Sequence, residues 1–98
     1  MTENINEKLL DKCIREQKKS LRKSLDNLKE GKSLSYYGKV LRYEILPQSN
    51  DFLIKEYELI INKKSNLNSN KRKAIEHIIN AAICDYNTEI EKHNSKNQ

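Results

Sequence analysis

Tryptophan is absent from this chain, phenylalanine and proline each occur once, and glycine and cysteine each occur twice. With so few large aromatics in 98 residues, the chain can build one thin core and no more. Gly31 and Gly38 stand alone, so no glycine-rich phosphate loop is present. Cys13 and Cys84 lie far apart, with no second cysteine or paired histidine near either. Zinc needs about four closely spaced ligands, so these read as free, partly buried thiols, and neither metal nor cofactor is expected. No apolar run approaches the roughly 20 residues of a membrane span. The N-terminus also lacks the basic-then-apolar order of a signal segment. The expectation is a cytoplasmic protein that does not engage a membrane.

Charge is abundant, at 34% of residues, and the net charge is +5. Residues 1–32 carry nine Lys/Arg against six Asp/Glu, and residues 63–98 carry seven against four. Residues 33–62 carry three against four, so both ends are basic and the middle is near neutral. The apolar residues are patterned, which separates the chain from disordered sequences of similar polarity. The wealth of Lys, Asn and Ile is the composition of an AT-rich genome, such as that of a low-GC bacterium or its phages.

The spacing predicts an all-α fold, a small bundle of about four helices in a single domain over 1–98, with helices near 3–30, 34–46, 51–63 and 69–92. Ile75, Ile78, Ile79, Ala82, Ile83, Tyr86 and Ile90 recur at helical spacing, which makes the last helix the central one. Its reverse side carries Ala74, Ala81 and Cys84, small enough to admit a partner or a second copy of the chain. The first helix has Thr2 as cap, Gly31 as stop and a narrow stripe of Ile5, Leu9, Leu10, Ile14, Leu21, Leu25 and Leu28. Unbroken, it would reach about 42 Å, so a break near Gln17–Ser20 is expected. Ser33 or Ser35 caps the second helix, which stops before Pro47, and Ser49 or Asn50 caps the third. His93 to Gln98 reads as a frayed tail.

The middle of the chain has a rival reading. Tyr36, Tyr37, Val40, Tyr43 and Ile45 favour strands, which allows an α+β fold with a β-hairpin over 36–61 turning at Pro47–Asp51. Leu41, Tyr43 and Ile45 would then share a face with Leu53, Tyr57, Leu59 and Ile61, with Arg42 opposite Glu56.

Two basic clusters stand out. Projected at 100° per residue, Lys8, Lys12, Arg15, Lys18, Lys19, Arg22, Lys23 and Lys29 fall within about 140° of the first helix, interrupted mainly by Asp11, Asp26 and Glu30. Such a ribbon suits phosphates or an acidic protein surface, though a solvated lysine-rich face would look the same. Lys71, Arg72 and Lys73 open the last helix, where cations oppose the helix dipole, and Glu89 and Glu91 sit near its other end. Charges placed against the dipole at both ends suggest selection by a partner. No helix-turn-helix, RNP-type or Gly-x-x-Gly pattern accompanies them. His77 and His93 lie beside no nucleophile, and no carboxylate pair sits in apolar surroundings, so an enzyme acting on a small-molecule substrate is not expected.

The run from Leu28 to Tyr37, then Val40 to Pro47 and Glu56 to Ile60, resembles the middle of small immunity proteins against pediocin-like bacteriocins. The resemblance spans about a third of the chain and implies a basic, cytoplasmic four-helix bundle, although the first helix here is longer. The leading expectation is a non-enzymatic interaction protein, of the phage or mobile-element inhibitor or regulator type, that binds a protein. Sequence-nonspecific nucleic-acid binding through the basic helix face is the alternative, and immunity to a peptide toxin the third. The candidate contact residues are Arg15, Lys18, Lys19, Arg22, Lys71, Arg72, Lys73, Ala81 and Cys84.

Overall fold

The computed structural model describes residues 7–27 and 35–96, with side chains placed as far as His93. Helix accounts for 85% of these residues and no strand occurs among them, so the hairpin over 36–61 is not formed. Helix α1 spans Glu7–Asn27. Helix α2, residues 36–45, opens with an α-turn at Tyr36–Lys39 and continues as a π-helix over Val40–Ile45. Helix α3 spans Asn50–Ile61 and α4 spans Ser69–Lys96. Thr2, Ile5, Leu28, Lys29, Glu30, Gly31 and Ser33 lie outside the described residues.

Three expectations about the helices are corrected. No break occurs near Gln17–Ser20: α1 is continuous, because Ile14, Lys18 and Leu25 are all buried against the rest of the fold across that stretch. The third helix stops at Ile61 instead of running to 63. The last helix runs on through the expected tail to Lys96.

Helix α1 lies along α4, and α2 and α3 pack across the same helix. The result is a plate measuring 51 × 33 × 16 Å, two helices thick in its thin direction. Its core draws Ile14 and Leu25 from α1, Leu53 from α3, and Ala74, Ile75, Ile78, Ile79 and Ala82 from α4. Ala74 thus belongs to the buried front of α4 and not to its reverse side. Ile83, Tyr86 and Leu21 pack at the margin. Among the described residues no helix is long and apolar enough to cross a membrane.

The π-turn explains why the middle of the sequence reads ambiguously. Val40, Leu41, Ile45 and Leu46 are all buried, a spacing of i, i+1, i+5, i+6. On an α-helix those four would spread over about 240° and could not share a core. Bonding to the fifth residue back winds the chain more slowly, at about 82° per residue, and gathers them into about 130°. The amide of Leu46 accordingly donates to the carbonyl of Leu41 at 2.9 Å. The same slow winding leaves Glu44 outside, where it pairs with Lys71 at 2.9 Å.

Side chains and turns fix the helix ends. Ser35 Oγ accepts from the Gly38 amide and Ser49 Oγ accepts from the Phe52 amide, each at 3.1 Å. Asn68 Oδ1 accepts from the Lys71 amide at 3.0 Å and starts α4. Helix α3 ends in a Schellman turn: the Lys64 amide donates to Leu59 O and the Lys63 amide to Ile60 O. Lys63 takes the left-handed position there, at φ 60°.

Candidate docking face

Helix α1 sorts its cations by direction. Ile14, Lys18, Leu21 and Leu25 follow one another at i, i+4, i+7 and i+11, so Lys18 falls within the inward stripe. It is only 7% exposed, and its ammonium donates to Gln48 O at 2.6 Å. One turn on, Arg22 Nη2 donates to Leu46 O at 3.0 Å. Toward the start of α1, Asp11 Oδ1 accepts from Asn50 Nδ2 at 2.6 Å. Residues 11, 18 and 22 of α1 thus grip residues 50, 48 and 46 of the connecting turn, in antiparallel order.

Those carbonyls need donors. The last carbonyls of a helix have no partner within it, and Pro47 supplies no amide. Gln48 takes two of them itself: its amide donates to Ile45 O at 3.0 Å and its Nε2 to Glu44 O at 3.1 Å. Arg22 and Lys18 take the next exposed oxygens. They also place positive charge at the negative end of the α2 dipole. Burial, and then the charge of Arg22, hold the Lys18 ammonium below its ordinary 10.5, with Asp11 pulling the other way.

The remaining cations of the ribbon face outward. Lys8, Lys12, Arg15, Lys19 and Lys23 are all exposed and lie within about 80° of one another, opposite the apolar stripe. Arg15 forms an ion pair with Asp11. A shallow hollow along this side is lined by Lys12, Arg15, Glu16, Lys18, Lys19 and Arg22. Arg22 also borders a second hollow, shared with Asp26, Arg42, Tyr43 and Leu46. There Arg42 bridges to Asp26, tying α2 to α1.

Beside that bridge, Tyr43 is 67% exposed, and Tyr36, two turns earlier, is 64% exposed. Sequence reasoning missed this pair. Their seven-residue spacing is the signal, since on an α-helix it would put both on one side; the slower winding of residues 40–45 sets them about 75° apart, with Tyr43 turned away from Val40 and Leu41. The strand reading of the same residues concealed it.

The other sequence candidates scatter. Lys71 pairs with Glu44, and Arg72 donates to Leu67 O, so two of the three cations opening α4 have work within the fold. Glu44 pushes the Lys71 ammonium above its ordinary 10.5. Lys73 is exposed. Ala81 is half-buried and Cys84 exposed, on a side of α4 that also carries His77, Asn80 and Asn87. That side is polar, and Asn80 Oδ1 already accepts from Tyr57 at 2.7 Å.

Both thiols are free. Cys13 lies at the floor of a crevice between α1 and α4, with Glu16, Asp85 and Glu89 on its walls. Burial, and then those three carboxylates, push the thiol up from its ordinary value, so it stays protonated and unreactive at neutral pH. No group of side chains among the described residues is arranged to hold a metal ion.

In comparisons with known proteins, no family model, no curated protein and no solved structure matches this chain.

Proposed function

We propose that this chain is a small non-enzymatic interaction protein that acts by binding the surface of another protein, as an inhibitor or regulator in the bacterial cytoplasm. The observation that carries this reading is the outward pair Tyr36 and Tyr43, bordered by Arg22, Arg42 and Lys71. Tyrosine and arginine dominate the energetics of protein interfaces, because they bury large rigid surfaces while keeping polar contacts. The phage or mobile-element setting is supported by composition alone.

Nucleic-acid binding has less support. Lys18 and Arg22, in the middle of the basic ribbon, are turned onto backbone carbonyls, and the exposed carboxylate of Glu16 sits among the remaining cations. The test is retention of a protein from nuclease-treated bacterial lysate on the immobilised chain, set beside a Tyr36→Ser/Tyr43→Ser variant. Retention by the wild type with loss in the variant supports the reading. Retention that vanishes on nuclease treatment, or equal retention by both chains, overturns it.

A further inference from the structure

The outward strip of α1 has a spacing as well as a sign. Lys8, Lys12, Arg15, Lys19 and Lys23 follow at steps of four, three, four and four residues. Each step advances about 4.5–6 Å, and the whole strip runs about 22 Å along one side of the helix. Asp26 is engaged with Arg42, and Asp11 pairs with Arg15 of the strip itself, which leaves Lys8, Lys12, Lys19 and Lys23 as its exposed lysines. The strip is unbroken, because α1 is continuous. It ends beside Arg22, which it shares with the hollow under Tyr43.

We propose that this strip, with Tyr43 at its end, docks an α-helical segment of a partner protein that carries Asp or Glu at three- and four-residue spacing. The proposal rests on the protein-binding reading above and names the partner's chemistry. A second α-helix laid alongside repeats its charges at the same interval of about 4.5–6 Å, so the lysines of the strip meet acids in register. A DNA strand instead presents a charge about every 3.4 Å along the duplex axis and curves away from a straight rod. Glu16, at the strip's edge, opposes a phosphate backbone, whereas in a mixed-charge protein interface it pairs with a lysine. Tyr43, more than half exposed and flanked by Arg22 and Arg42, supplies the apolar contact that a purely electrostatic strip lacks.

The experiment uses three fluorescein-labelled probes read by anisotropy at one salt concentration. The first is an alanine-based helix of about 20 residues with glutamates at three- and four-residue spacing. The second has glutamine at those glutamate positions, and the third is a short DNA duplex. Two variants carry the same change in net charge: Lys12→Glu/Lys19→Glu on the strip, and Lys55→Glu/Lys64→Glu on exposed positions of α3 and the loop after it. The glutamate helix should bind the wild type, and the glutamine helix should not. The strip variant should lose roughly tenfold in affinity while the α3 variant keeps it. Tyr43→Ala should weaken binding several-fold.

Absence of binding, equal binding of the glutamine helix, equal losses in both charge variants, or tighter binding of the duplex would each overturn the proposal. If the strip variant does not fold, Lys12→Gln/Lys19→Gln takes its place, set against Lys55→Gln/Lys64→Gln, with the same outcomes. The lysate experiment separates the two levels. A protein retained equally by the wild type and the strip variant leaves the interaction function standing and removes the strip. No retained protein removes the function, whatever the peptides do.

Discussion

The ammonium of Lys18 lies 2.6 Å from the carbonyl oxygen of Gln48, and through that contact a lysine on one helix holds the turn between the next two. Five residues along the same helix, Lys23 is exposed. The two lysines have the same chemistry and opposite duties. One donates its proton inward to backbone, and the other is solvated.

Lys18→Met should therefore cost about 1–3 kcal/mol, because the carbonyl of Gln48 loses its donor. Lys23→Met should stay within about 0.5 kcal/mol of the wild type, as surface substitutions do. Urea denaturation of both variants measures the contrast. Equal destabilisation would mean that the carbonyl is satisfied by water and that the contact contributes little.

Lys18 also gives the stability a pH dependence of definite sign. Its pKa is lowered in the folded state, chiefly by burial, so the unfolded chain holds this proton to higher pH. Stability from this group is lowest while Lys18 is charged in both states, and rises between the folded pKa and the ordinary 10.5. Lys71, Cys13 and Tyr37 shift upward and act in the opposite direction over alkaline pH. The measurement is thus a difference: the stability of the wild type minus that of Lys18→Met, followed from pH 8 upward. That difference should grow with pH. A flat or falling difference refutes the assignment.

Deletion of Glu44 should be tolerated. With one residue fewer, Val40, Leu41, Ile45 and Leu46 fall on one side of an ordinary α-helix, and the π-turn is no longer needed. The lost pair with Lys71 is exposed, so the deletion should cost less than about 2 kcal/mol. Deleting Lys55 removes one residue from α3, which has no such slack, and should prevent folding. Circular dichroism and thermal melting of the two deletions decide this. The idea fails if the Glu44 deletion is as damaging as the Lys55 deletion.

Lys63→Gly should stabilise the protein. A lysine in the left-handed conformation pays a steric penalty of about 1–2 kcal/mol that glycine avoids. Glycine's freer unfolded chain takes part of that back. A net gain of about 0.5–1 kcal/mol is expected in chemical denaturation, and a loss would show that the Lys63 side chain is needed at that turn.

What was legible in the sequence follows from how regular each element is. The stripe of α4 is plain α-periodicity, and Ile75, Ile78, Ile79 and Ala82 are buried as it requires. The caps were legible to within two residues, as Ser33 or Ser35 and as Ser49 or Asn50, and Ser35 and Ser49 are the ones that accept the helix amides. Residues 40–46 were not, because a π-turn spaces its buried residues at neither 3.6 nor 2. The basic ribbon was half legible. Its sign could be read from composition, but its inner edge could not, although Lys18 stands between Ile14 and Leu21 in the apolar stripe. The contacts of the charges opening α4 were hidden for a related reason. Their partners, Glu44 and the carbonyl of Leu67, are brought into reach by the packing of α2 and by the loop before α4.

A plate only 16 Å thick has consequences for how the molecule fails. Every fully buried side chain sits in one flat layer, and α1 and α4 border most of it. No second layer remains to hold a partly opened form together. If α1 peels away, Ile14 and Leu25 leave the core, and the ties of Lys18 and Arg22 to the turn at 46–48 break in the same movement. Loss of α1 should then carry the rest of the core with it, in a single unfolding transition.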